Sequence, residues 1–89
     1  MHANALPDLD TLRHDAANGA PDAQFRLAAR LVTLDGAEEA FDLYRQAAER
    51  NHLAAQVEHA RMQLYGVACD ANPMAAVQWL ERADRGGSA

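Results

Sequence analysis

Apolar positions recur at helical spacing in five segments of the chain, separated by residues that stop helices. Leu9, Leu12 and Ala16 form the first stripe, opened by Pro7 and Asp8 and closed by Asn18-Gly19 as a left-handed cap. Pro21 opens a second segment that runs to about Thr33. The third starts at Asp35, where an Asp followed by Glu38 reads as a capping box. Its apolar residues Ala40, Leu43, Tyr44, Ala47 and Ala48 fall at i, i+3, i+4, i+7 and i+8, and Asn51 ends it. The fourth spans about Leu53 to Tyr65 and stops at Gly66. In the fifth, Asn72 caps and Pro73 takes the first helical position. Ala76, Trp79, Leu80 and Ala83 repeat the stripe before Gly86-Gly87 ends it. Connections of two to six residues make consecutive helices antiparallel neighbours. The pattern predicts one helical domain over 7–86, with loose ends at 1–6 and 87–89.

Composition supports an all-α fold. Alanine supplies 21 of the 89 residues, isoleucine and lysine are absent, and Val plus Thr number six. A sheet needs β-branched residues on its pleated faces, so all-β and α/β folds are excluded. Leu, Val and Phe together number 16, which predicts a thin core with helices closely packed on alanine. A domain this small buries only roughly 60% of its unfolded surface, so its stability is marginal.

Charge and cysteine content narrow the function classes. A net charge of −5, with all eight cations scattered arginines, argues against nucleic acid and anionic membranes as partners. The single cysteine, Cys69, excludes an intrachain disulfide framework and fits a reducing compartment. The first six residues carry no basic and apolar leader pattern, and no apolar run approaches 18 residues. The expectation is a cytoplasmic protein.

The segments also repeat. Ala23-Gln24 followed by Ala28 returns as Ala55-Gln56 followed by Ala60, an offset of 32. Ala40, Leu43, Tyr44 and Ala47 return as Ala76, Trp79, Leu80 and Ala83, an offset of 36. Each unit is a helical hairpin, and small residues at Ala28 and Ala60 let its helices approach closely.

This pattern resembles the Sel-one-like repeat, a relative of the tetratricopeptide repeat, over roughly residues 20–87. The second unit aligns through Ala55, Ala60, Gly66, Ala68, Cys69, Asn72, Ala76, Trp79, Leu80, Ala83 and Gly87. The first aligns through Ala23, Phe25, Leu27, Ala28, Leu31, Ala40, Leu43, Tyr44, Ala47, Ala48 and Asn51. Gln63 replaces the family's Tyr, His59 its Leu and Asp84 its second Ala, and the first unit lacks the Gly-x-Gly loop. The resemblance implies a short α-solenoid of two and a half repeats, the first helix being a degenerate half that acts as a cap. It also implies protein–protein binding in an adaptor or scaffold, with the first helices lining a concave face.

The residues themselves offer little catalytic chemistry. The histidines His2, His14, His52 and His59 lack metal-site spacing, and His59 should face the hairpin interior. Asp70 beside Cys69 raises rather than lowers the thiol pKa, so Cys69 reads as a buried plug. Asp8-Asp10 and Glu38-Glu39 sit in first turns, and Arg50, Arg82 and Arg85 near helix ends, as the helix dipole favours. Gly66-Val67-Ala68 has no preceding strand to make it a phosphate loop. No enzyme activity, cofactor or metal is expected.

Four residues are candidates for partner contact. Arg26 and Arg30 share a helix face at i, i+4, and Arg61 extends the row on the fourth helix. Such a row can hold the backbone and carboxylates of an acidic or polar peptide, although Asp22 and Glu58 can equally pair with it as ordinary surface ions. Trp79 reads as core, with an exposed anchor as the other reading. The fifth helix carries Met74, Val77, Trp79 and Leu80 with nothing following to cover one side, so the C-terminal end is expected to meet a partner or a second copy as a homodimer. An alternative function is a small inhibitor or immunity protein that blocks a basic cleft in a partner enzyme. A toxin gene next door would favour it.

Overall fold

The computed structural model describes residues 8–87. Five helices follow one another: α1 (Leu9–Ala17), α2 (Pro21–Thr33), α3 (Ala37–Glu49), α4 (Leu53–Tyr65) and α5 (Pro73–Gly87). No strand occurs among the described residues. The most extensive pairings are α2 with α3 and α4 with α5, the two expected hairpins. The remaining pairings, α1 with α2 and α3 with α4, join successive units into a stack of 46 × 32 × 20 Å. This is the short all-α solenoid that the repeat predicts. The expected loose segment 1–6, Pro7 and His2 lie outside the described residues.

The first three connections share one construction. Gly19, Asp35 and Asn51 each adopt a left-handed φ, at 88°, 65° and 69°. The next residue then donates its N–H back to the carbonyl of the last helical turn: Ala20 to Asp15, Gly36 to Leu31 and His52 to Ala47, at 3.2, 2.7 and 3.1 Å. These are Schellman closures, which satisfy the orphan carbonyls of each helix end. The second one corrects the expectation that Asp35 caps α3. Asp35 is consumed as the left-handed residue closing α2, so Gly36 takes the N-cap position and contributes no side-chain bond. The last connection, residues 66–72, is seven residues long and exceeds the expected two to six. Here Gly66 and Ala68 are both left-handed, and Asn72 Oδ1 accepts from the Ala75 N–H at 3.1 Å, as its sequence position predicted. α5 includes Gly86 and Gly87, since a glycine lowers helix propensity by only about 1 kcal/mol.

Alanine makes the core. Ala28, Ala40, Ala47, Ala48, Ala55 and Ala76 are fully enclosed, with Leu12, Leu27, Leu31, Leu43, Tyr44 and Met62 filling the gaps between helices. The largest fully buried side chains are polar or borderline, His59 and Gln56. Ala83, expected at a contact position, is half-buried. Cys69 is likewise half-buried rather than a buried plug, and its Sγ donates to the Met62 carbonyl at 3.7 Å.

Candidate protein-binding surface

Each junction between units is built around a buried glutamine. Gln24 in α2 donates from Nε2 to the Ala16 carbonyl at 3.2 Å. Gln56 in α4 donates in the same way to the Ala48 carbonyl at 3.1 Å. The pairs are related by the same 32-residue offset that marks the repeat. Each glutamine thus holds the end of the preceding helix while alanines keep the backbones close. Gln24 also donates to Gln46 Oε1 at 3.1 Å. Sequence reasoning used Ala-Gln only as a repeat marker, because glutamine is seldom fully buried.

Aromatic rings fill the second junction. Phe25 stacks on His52 at 4.7 Å between centroids, and Phe41 meets His59 at 4.7 Å. His59 also makes a T-shaped contact with Trp79 at 5.3 Å between centroids. His59 is 2% exposed, as its sequence position predicted, and its Nδ1 has no hydrogen-bond partner among the described residues. Burial lowers its pKa, the Arg45 cation lowers it further, and Glu49 opposes them. His52 has a role that its sequence position did not signal. Its Nδ1 accepts from the Ala55 N–H at 3.1 Å and so caps α4.

The four candidate contact residues are placed differently from one another. Arg26 is exposed and pairs with Asp22 at 2.8 Å, one turn away. Arg61 is exposed and lies 4.0 Å from Glu58. These are the two carboxylates that the sequence offers as ordinary surface partners. Arg30 is half-buried, near enough to Asp8 to help lower that carboxyl's pKa, which the Thr11 N–H lowers most. Trp79 faces inward and packs on the core, with the Arg82 guanidinium 5.0 Å over its ring. Arg82 in turn donates to Asn51 Oδ1 at 2.9 Å, tying α5 to the end of α3.

The acidic pairs serve helix ends and ion pairs. Asp8 Oδ1 accepts the Thr11 N–H at 2.8 Å and caps α1. Glu39 binds Arg13 of α1 at 2.6 Å. No group of three or more His, Cys, Asp or Glu residues able to hold a metal ion occurs among the described residues. No described helix is long and apolar enough to cross a membrane.

Apolar exposure concentrates on the second unit. Val57, Met74, Val77 and Leu80 are all exposed, while Leu12 and Tyr44 at the earlier junctions are 4% and 5% exposed. An open groove of about 570 Å³ runs along this end, lined by Val77, Leu80, Glu81, Asp84 and Arg85.

Comparison with known proteins agrees with this construction. The family description "Sel1 repeat" matches twice in succession, at residues 21–52 and 53–88. The solved structure of a Sel1 repeat protein from Oxalobacter formigenes superposes with a TM-score of 0.84 at 30% sequence identity. The match covers 90% of this chain and 35% of that one, so the chain spans about a third of the relative's length. No curated protein matches the sequence. Sel1 repeats generally serve as protein–protein interaction modules and are typically non-enzymatic. With two consecutive repeat matches spanning most of its length, the chain belongs to the Sel1 repeat family.

Proposed function

We propose that the chain is an adaptor or scaffold that binds a partner protein or peptide through the face of α2 and α4 that exposes their arginines. Arg26 and Arg61, with Arg30 beside them, meet carboxylates or backbone carbonyls of the partner. One observation carries this reading. The Arg26 and Arg61 side chains are 54% and 61% exposed, and among the described residues each pairs with an acid on its own helix. Exposed pairs of this kind contribute about 0.2–1 kcal/mol, so a partner's carboxylate can replace Asp22 or Glu58 at little cost. The helices that present these arginines are held by buried glutamines, so little conformational entropy is lost on binding. Trp79 acts from behind, bracing α4 against α5 through its contact with His59.

Affinity capture from the native cell tests the reading, with wild type and an Arg26→Glu/Arg61→Glu variant as paired baits. The expected result is a partner retained by wild type and depleted about tenfold by the variant, with helical circular dichroism unchanged in both. Identical recovery by the two baits would refute the arginine surface.

A further inference from the structure

Exposed apolar side chains gather along the edge formed by the hairpin tips. α3 is antiparallel to both α2 and α4, so α2 and α4 run in the same direction. Their C-terminal ends, the turns 34–36 and 66–72 and the start of α5 therefore share one edge of the stack. Val32, Leu34, Leu64, Tyr65, Val67 and Met74 lie there, all exposed, Tyr65 by 71%. None of them belongs to the core. The turns of the opposite edge carry Asn18, Arg50, Asn51 and His52 instead. Apolar residues clustered in this way mark an interaction site, whereas single ones need no explanation.

This exposure is a property of the edge and not of the end of the stack. The 32-residue offset pairs Leu64 with Val32 and Tyr65 with Thr33, and the 36-residue offset pairs Met74 with Glu38. Val32, Thr33 and Glu38 are exposed although the α4–α5 hairpin follows them. A complete neighbouring unit leaves these positions open.

Charge specifies the occupant. Asp35, Glu38 and Asp70 border the apolar residues, exposed and without an ion pair among the described residues. Arg61, one turn before Tyr65, already has Glu58 4.0 Å away. An apolar ridge beside uncompensated carboxylates fits an amphipathic helix whose apolar stripe is flanked by lysine or arginine. A helix of about 14 residues spans roughly 21 Å, enough to cross two hairpin tips built from helices packed about 8–10 Å apart. The same carboxylates repel an anionic membrane. They also disfavour a second copy, because two such edges set carboxylate against carboxylate and this chain's eight cations are scattered arginines.

We propose that the hairpin-tip edge, with Tyr65 as its main anchor, docks a basic amphipathic helix of a partner protein. The site goes beyond the arginine surface and prefers the opposite charge. The chain then bridges two partners, an acidic one on the arginines and a basic one on the edge.

The test titrates the full chain against a fluorescent amphipathic peptide of about 14 residues with a leucine stripe and flanking lysines, read by anisotropy. The expected Kd is tighter than about 0.1 mM. Leu64→Ser/Tyr65→Ser should weaken it at least about tenfold with helical circular dichroism unchanged. If the pair of changes costs helical signal, Tyr65→Ser alone should weaken binding at least about threefold. Asp35→Asn/Asp70→Asn should weaken it about threefold, and asparagine suits the left-handed φ of 65° at position 35. A Kd weaker than about 0.1 mM overturns the proposal, as does binding indifferent to Tyr65→Ser. A glutamate-flanked peptide that binds as tightly also overturns it. Cosedimentation with phosphatidylserine vesicles that Tyr65→Ser abolishes would assign the edge to a membrane. A wild-type dimer that Tyr65→Ser dissolves would assign it to a second copy, and either result overturns the proposal. Arg26→Glu should leave peptide binding unchanged, so failure here is distinct from failure of the arginine surface.

Discussion

Burial withholds water from the His59 imidazole and makes its charged form unfavourable in the folded chain. The unfolded chain has no such constraint and protonates at about pH 6.5. A group whose folded pKa is depressed in this way favours folding fully above the unfolded value. As pH falls below about 6.5 the unfolded state takes up protons first, and stability declines. Asp8 and Asp42 are also lowered, by the Thr11 N–H and by Arg45, but their contributions are lost only near and below the ordinary carboxylate range. Thermal melts at pH 7.5 and 5.0 separate these windows. The wild-type melting temperature should fall between them, and His59→Leu, the residue that the repeat pattern favours there, should remove most of that fall. An equal fall in the variant would show that the acid sensitivity lies elsewhere. The sequence placed His59 in the interior by its register. That Phe41 and Trp79 would both meet its ring was not legible, because ring contacts depend on how two helices cross.

At the scale of helices and turns, the two offsets were legible because close helix approach tolerates only small residues at fixed positions. Ala28, Ala40, Ala60 and Ala76 are enclosed where the repeat requires them. The misread turn has a local cause. Asp serves both as an N-cap and as a left-handed closing residue, and at Asp35 the closing of α2 takes precedence because two backbone bonds depend on it. The buried glutamines escaped notice for a different reason. Their acceptors are main-chain carbonyls of the preceding helix, which no side-chain pattern reports. Each carbonyl also accepts a backbone N–H, Ala16 from Gly19 and Ala48 from Asn51, so Gln24→Ala and Gln56→Ala each lose one net hydrogen bond and a buried side chain, which should destabilise the chain by about 1 kcal/mol or more. Chemical denaturation measures this, and a change below about 0.5 kcal/mol in both would remove the glutamines from their place in the junctions.

Seen whole, the molecule has unlike ends. The N-terminal end is closed by α1, whose Leu12 and Ala16 are buried and whose Arg13 reaches across to Glu39. The C-terminal end leaves Val77 and Leu80 open to solvent. In a repeat stack each unit is stabilised by contacts with its neighbours. The unpartnered stripe of α5 was legible in the sequence. The most direct test of a helical stack that binds protein through its first helices is hydrogen exchange on the chain, free and with the captured partner bound. The account predicts slower exchange in α2 and α4, with α5 joining them if the partner also reaches the open end. Unchanged exchange in α2 and α4 under saturating partner would contradict it.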